Sequence, residues 1–288
     1  MPLAERFGAP LHLVHVQPID EMAGVTRAGR LLLNCADAIA VMQGRLDGFR
    51  RKERPRFLPE NCPVVRGRPF EEICKLASEI GADLIVLPTR GYSGLKHVML
   101  GSTAERVVRY ASCPVMVLRG KGVPSILLNE SPRGNGRMIV APVDFSRCSM
   151  AGVRYAARLA KTSGALLRLV HVVFPFSEMV GMDRLSANAT SLLKAAKRRA
   201  VERMAWLGAM TFLDGVRCET EIRAGSVTDE LCAASARPET DVLVISTHGR
   251  TGFRRAVLGS VAERVVRYAR CPVITVPSHC ESSRVIVQ

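Results

Sequence analysis

Short apolar runs alternate along this chain with longer stretches of helical pattern, most clearly in its second half. Met138–Val143 (MIVAPV) reads as a strand buried on both faces. Cys148–Ser163 follows as a helix, with Gly164 as its stop signal. Leu166–Val173 is a second strand, and Arg184–Leu207, rich in Ala, Leu, Lys and Arg, a long helix. Cys218–Arg223 alternates as a third strand, and Val227–Ala236 is a helix. Asp241–Ser246 (DVLVIS) is a fourth strand, Ser260–Tyr268 a helix and Pro272–Val276 a fifth strand. Strands alternating with helices predict a parallel sheet covered on both faces. Right-handed crossovers then make it doubly wound. A ligand of such a sheet sits beyond the strand C-termini, where the strand order reverses.

The same pattern occurs twice. Residues 101–114 read GSTAERVVRYASCP and residues 259–272 read GSVAERVVRYARCP, 158 positions apart. That offset also maps Gly67 onto Gly225, Asp83 onto Asp241 and Gly91 onto Gly249. Nearer the N-terminus, HLVHV at 12–16 matches RLVHV at 168–172 at an offset of 156. Collinear matches over so long a span indicate a duplication. Under the shorter offset Met1 aligns with Ala157, so nothing in the chain corresponds to Met138–Ala156. The first repeat is therefore expected to lack its first strand and most of its first helix. The expected organisation is a first domain over 1–119, a linker over 120–136, a second domain over 137–279 and a tail over 280–288. The linker is rich in Gly, Pro, Asn and Ser, but its Ile126-Leu-Leu segment is apolar enough to add a short strand. The tail Arg284–Gln288 (RVIVQ) is also strand-like.

Candidate chemistry comes after the fourth strand of the second repeat, in S246-T-H-G249-R-T-G252-F-R-R-A-V-L-G259-S260-V-A-E263. Glycines let a backbone approach a ligand closely. Gly259 and Ser260 open a helix, whose N-terminus presents free N–H groups and a partial positive charge. Arg250, Arg254 and Arg255 add cations nearby, and the combination suits a polyphosphate. The same residues admit a local reading. Ser260-V-A-Glu263, like Ser102-T-A-Glu105, fits the capping box in which Ser and Glu satisfy the first turn of their own helix.

These residues carry a family resemblance. S-T-H-G-R-T-G-F…L-G-S-V-A-E-R-V-V-R-Y…C-P-V resembles the universal stress protein motif G-x2-G-x9-G-[ST], and its nine-residue spacer occurs once in each repeat. VDFS at 143–146 resembles the end of the family's first strand, and LVHVV at 169–173 its second. The resemblance spans nearly the whole chain. It implies two tandem flavodoxin-like, Rossmann-like α/β domains with parallel five-stranded sheets of order 3-2-1-4-5, and a stress-response regulator that binds ATP, with Mg2+. It also implies roles. Asp144 would bind the ribose or adenine side, and Pro142 and Val172 would line the adenine pocket. Ser246 and Gly249 would flank ribose and phosphates, with Arg250 beside them. Gly259, Ser260 and Val261 would hold the phosphates. Ser246 stands where the motif has its first Gly, and Asp144 has a second reading as the start of a turn that caps the following helix.

In the first repeat Pro88 takes that first Gly's place, Gly91, Gly101 and Ser102 remain, and no counterpart of Asp144 exists. Nucleotide binding is expected of the second repeat, and weakly or not at all of the first. The missing strand is central in the order 3-2-1-4-5, so a gap is expected there. It would be explained by a start upstream of Met1, or filled by the linker or tail segment.

Composition narrows the remaining classes. The formal charge of +15 invites a nucleic-acid reading, through clusters at Arg45–Arg56 and at Lys194, Lys197, Arg198, Arg199 and Arg203. Aromatics amount to 5% and do not interleave with these clusters, which disfavours stacking on single strands. A solvated basic face, or attraction for a nucleotide, accounts for the charge. No apolar run reaches the roughly 18 residues of a membrane span, and the N-terminus lacks a signal-peptide pattern. Nine scattered cysteines without zinc or C-x-x-C spacing read as thiols in a reducing cytoplasm, with Cys113 and Cys271 packed at strand starts. No G-x4-G-K-[ST] loop or convincing Ser/His/Asp set occurs, and His15 and His171 lie inside strands. Catalysis beyond slow ATP hydrolysis is not expected. The competing reading is an interaction module whose repeats form an intrachain pseudo-dimer through their fifth strands, the pairing that the resemblance implies, with a homodimer as a further possibility.

Overall fold

The computed structural model describes residues 8–18, 44, 64–89, 100–119, 123–128, 137–174, 187–247 and 258–278. They fall into two compact units that divide between Gly81 and Ala82. In the first, β1 (His15–Pro18) pairs in parallel with β2 (Val64–Gly67), His15 opposite Val64. Helix α1 (Pro69–Glu79) packs on both strands. Pro69 stands at its first position, where a missing N–H costs nothing, and Glu71 and Glu72 face the positive helix end.

The second unit is built on a seven-stranded sheet of order β3-β4-β9-β8-β5-β6-β7. Its strands from the second repeat are β5 (Met138–Pro142), β6 (Leu166–Val173), β7 (Cys218–Ala224), β8 (Thr240–Ser246) and β9 (Val273–Val276). Numbered within that repeat they run 3-2-1-4-5, the order the resemblance implies, and all are parallel, as the alternating pattern predicts. The helices are α2 (Ser102–Tyr110), α3 (Arg147–Ser163), α4 (Ala187–Gly208), α5 (Val227–Ser235) and α6 (Ser260–Tyr268). Ile139, Val140, Leu243 and Val273 are fully buried, because helices cover both faces of the sheet. The element bounds match the expected ones to within one residue, except that α4 is described from Ala187 and its expected start, Arg184, lies outside the described residues. Gly164 ends α3 in the left-handed conformation (φ 67°), where a Cβ would add strain.

The sheet is wider than five strands because the first repeat's β3 (Ile85–Pro88) and β4 (Val115–Leu118) extend it. β3 and β4 are parallel, whereas β4 meets β9 antiparallel, Met116 opposite Ile274. β4 and β9 are the fifth strands of the two repeats, so the intrachain pairing expected from the sequence is present. Cys113 and Cys271 are buried just ahead of them, and the described residues contain no disulfide. The Arg267 guanidinium lies 3.5 Å from Glu105 of the other repeat and 3.2 Å from Glu263. The Arg119 guanidinium donates to the carbonyls of Val266 and Arg267, neutralising the negative C-terminal end of α6.

The linker forms no strand over its described residues. Ser125–Leu127 is a 3-10 turn with Ile126 and Leu127 buried. It is fixed by Asp241, whose Oδ2 accepts from the Ser125 hydroxyl at 3.0 Å and the Ile126 amide at 2.6 Å. A carboxylate accepting two bonds at one oxygen favours a turn over an extended segment here. The tail Arg284–Gln288 and the basic cluster at Arg45–Arg56 lie outside the described residues. Lys194, Lys197, Arg198, Arg199 and Arg203 stand exposed on α4, a solvated basic face.

A Cβ on Gly152 of α3 would come within 3.1 Å of the Ser246 backbone nitrogen, so a side chain there would press this helix away from β8. Gly152→Val is expected to destabilise the protein by about 1–3 kcal/mol through overpacking, read by urea denaturation. Glu221 sits between Arg223 (2.8 Å) and Arg237 (2.9 Å). Burial alone would raise its carboxyl, but the two guanidiniums outweigh burial and hold it below the ordinary value. A depressed carboxylate stabilises above its unfolded pKa, about 4.3, and loses that contribution as pH falls through the folded value. The stability gap between the wild type and Glu221→Gln should therefore be full at neutral pH and close on acidification. A gap constant with pH would contradict this pairing.

Candidate functional site

The C-terminal edge of the sheet gathers most of the residues singled out in the sequence. β5, β6 and β8 run in parallel, so their ends share that edge, and the order reverses at β5, between β6 and β8. Pro142 ends β5 opposite Val170 of β6, and Val172 lies two residues beyond that pair. Ser246 ends β8 and is buried at 7% exposure. Thr247 comes next, its amide donating to Val276 of β9 at 3.0 Å. Gly249 and Arg250 lie outside the described residues, as do His248, Arg254 and Arg255.

After those residues the chain returns to the same edge. The Gly259 amide donates to the Thr247 carbonyl at 2.8 Å, which ties the start of α6 to the end of β8. Here the capping-box expectation is overturned. The N-cap is Gly259, not Ser260, and no side chain accepts from the first turn. Ser260 is the first helical residue and is exposed, while Glu263 pairs with Arg267 on its own helix. A Ser one position inside the helix cannot turn back onto its amides. α2 repeats the arrangement, with Gly101 as N-cap, its amide 3.0 Å from the Thr89 carbonyl, and Glu105 bound to Arg109 at 3.3 Å. Among the described residues, nothing accepts from the amides of Ser260, Val261 or Ala262.

Such amides carry the helix's partial positive charge, about half a unit, and suit a phosphate oxygen. This donor set fits a polyphosphate. It contains no carboxylate or imidazole cluster able to hold a metal among the described residues.

Asp144 lies just past the end of β5. Its Oδ1 accepts from the Ser146 amide at 2.8 Å, so it opens a turn as one reading of the sequence has it. It does not cap the helix. Ser146 is the N-cap of α3, its hydroxyl accepting from the Ser149 amide at 3.1 Å. Between them Phe145 adopts φ 62°, the one non-glycine residue with positive φ among the described residues. For an aromatic side chain that conformation costs on the order of 1–2 kcal/mol and needs support. Two side chains contact the ring. The Arg203 guanidinium of α4 lies 3.9 Å from the Phe145 ring centroid, and the His171 ring of β6 lies 4.8 Å away at 51°. His171 Nδ1 donates to the Val143 carbonyl at 2.6 Å, so this imidazole serves the fold, as its place inside a strand suggests.

Phe145 and Arg203 carry no signal that sequence alone reveals. Phe145 sits inside the VDFS segment as an ordinary aromatic, and Arg203 lies in a basic run with no sign of which cation meets a ring from another element. The first repeat shows half of the arrangement, with α2 tied to Thr89 and no strand equivalent to β5 among the described residues.

Comparison with known proteins places this geometry. The profile of the Universal stress protein family matches residues 1–119 and 136–277. A universal stress protein of Methanocaldococcus jannaschii is 32% identical over 150 residues, 49% of this chain and 81% of that protein. One of Mycobacterium tuberculosis is 25% identical over 219 residues, 76% of this chain and 69% of that protein. Among solved structures, a universal stress protein from Archaeoglobus fulgidus shares the fold at a TM-score of 0.64 and 19% identity, covering 95% of this chain and 90% of that one.

The two serines separate in their expected effects. Ser146→Ala removes a working cap and should cost about 1 kcal/mol of stability. Ser260→Ala removes none and should leave the denaturation midpoint within error. Equal losses in urea titrations would restore the capping box.

Proposed function

Because this chain belongs to the universal stress protein family, with the family pattern present twice, we propose that its second repeat binds ATP, with Mg2+, and acts through that binding as a stress-response regulator. The observation that carries the reading is the uncapped amide end of α6, tied by Gly259 to the end of β8 at the edge where β5 delivers Asp144. An exposed row of N–H groups suits the anionic tail. The Asp144 carboxylate, a pure acceptor, suits ribose hydroxyls or an amino group. Pro142 and Val172 offer apolar surface for the base, and Ser246 and Gly249 flank the sugar, with Arg250 as a cation for the phosphates. Gly259, Ser260 and Val261 hold the phosphates. Nothing in this set acts as a general base, so binding rather than turnover is the activity proposed. The compartment proposed is the cytoplasm; no helix among the described residues is long and apolar enough to cross a membrane.

A second reading has its own observation. The β4–β9 pairing and the Arg267–Glu105 contact join the repeats without any ligand, as an interaction module would require.

Calorimetric titration with ATP and Mg2+ tests the choice. One equivalent should bind, and Gly259→Val, which puts a branched side chain in the phosphate space, should abolish the heat at a temperature where its melting curve shows the variant still folded. A flat titration of the wild-type chain would leave the interaction module as the surviving reading.

A further inference from the structure

The contacts around Phe145 reach from the proposed nucleotide site to the basic helix α4. Phe145 is flanked in sequence by Asp144 and by Ser146, whose amide donates to Asp144 Oδ1 at 2.8 Å. The left-handed φ of 62° at Phe145 is what turns the chain so that this amide can reach back. The conformation of Phe145 and the orientation of the Asp144 carboxylate are therefore one geometry. Two groups hold it from different elements: Arg203 of α4, 3.9 Å from the ring centroid, and His171 of β6, 4.8 Å away. Of the exposed cations on α4, Lys194, Lys197, Arg198, Arg199 and Arg203, Arg203 has its guanidinium over this ring.

We propose that Arg203 is a positioning residue for nucleotide binding: its guanidinium, stacked on Phe145, keeps the Asp144–Ser146 turn closed and so aims the Asp144 carboxylate at the ligand. The proposal rests on the nucleotide reading of Asp144 above. Arg203 touches no ligand in it and acts only through the ring and the turn. A planar cation spreads over the aromatic face, which gives the contact its strength. An ammonium at the same place keeps the charge and loses the flat overlap. The basic run on α4 then has two parts: cations in solvent, and one that secures the site.

The experiment has a ligand-free arm and a ligand arm. In the first, hydrogen exchange of the Ser146 amide is monitored by NMR. Arg203→Ala should speed it about tenfold, and Arg203→Lys by less. Unchanged protection in Arg203→Ala overturns the proposal whether or not the protein binds nucleotide. In the second, ATP–Mg2+ is titrated calorimetrically. Arg203→Ala should weaken binding about tenfold with little change in melting temperature. In an Asp144→Asn background the same change should have no further effect, since the carboxylate it positions is gone. Additive losses would mean that Arg203 acts by charge or by general stability, and would also overturn the proposal. Phe145→Gly supplies the converse. With no ring for the guanidinium to hold, Arg203→Ala should cause no further loss of ATP binding in this background. A wild-type chain that binds no ATP, but whose Ser146 amide loses protection in Arg203→Ala, refutes the nucleotide reading and leaves the clamp itself standing.

Discussion

Strand β5 holds the second unit together, because it is hydrogen-bonded along both edges, to β6 on one side and β8 on the other. It is also where the order of strands reverses, so the helices after β5 and β8 leave the sheet around a common crevice. Met138, Ile139, Val140 and Ala141 are all buried, each exposed by 2% or less. Burial of side chains such as Ile139 and Val140 is worth about 1.5–3 kcal/mol apiece, and the strand's amides are satisfied at the same time. The first repeat has no such strand among the described residues, and its pairing is divided. Its β1 and β2 pair in one sheet and its β3 and β4 in another, with no described strand joining them.

β4 and β9 resolve a problem that each would have alone. A fifth strand is the edge of a doubly wound sheet, and a buried, apolar edge invites uncontrolled association. Here each edge is closed by the other, with the Thr275 hydroxyl also donating to the Val115 carbonyl at 3.3 Å. The helices beside them have almost the same sequence, STAERVVRY and SVAERVVRY, yet they are used differently. Arg119 comes just after β4 and reaches the C-terminal carbonyls of α6. Its counterpart after β9 is Pro277, which has no cation to offer α2. Arg267 binds carboxylates of both repeats, whereas Arg109 binds Glu105 of its own. A duplicated sequence has thus become an asymmetric pair.

The strands and helices of the second repeat were legible because period and punctuation agree: MIVAPV and DVLVIS can only be buried strands in this alternation, and Gly164 stops a helix by its freedom at positive φ. The features that could not be read depend on contacts distant in sequence. Ser260 and Glu263 satisfy the local rule for a capping box, but the Gly259 amide is taken by Thr247, a tertiary bond that sets the helix start one residue early. Ile126 and Leu127 are apolar enough for a strand, and Asp241 bends them into a turn. Arg203 could not be told from Arg198 or Arg199, because a basic run does not reveal which member meets a ring from another element.

The difference between the repeats bears on where nucleotide binding resides. Gly101 and Gly259 stand at the same place on equivalent helices, each tied to the threonine just after its fourth strand, at 3.0 and 2.8 Å. Both helices begin without a side-chain cap. If the glycine-led helix start were sufficient for binding, the two repeats would be equal candidates. Among the described residues they differ in the neighbouring strand, since only β8 lies beside a β5, with Asp144, the Phe145 turn and its ring contacts. Amides at a helix end attract any anion, phosphate and sulfate alike, and so supply affinity without selectivity. Selectivity for a nucleoside has to come from groups that recognise sugar and base, and the ones proposed for that role, Pro142 and Asp144, come with β5. On the proposed reading, the motif G-x9-G-S marks a place suited to an anion, and the central strand is what would make that place a nucleotide site.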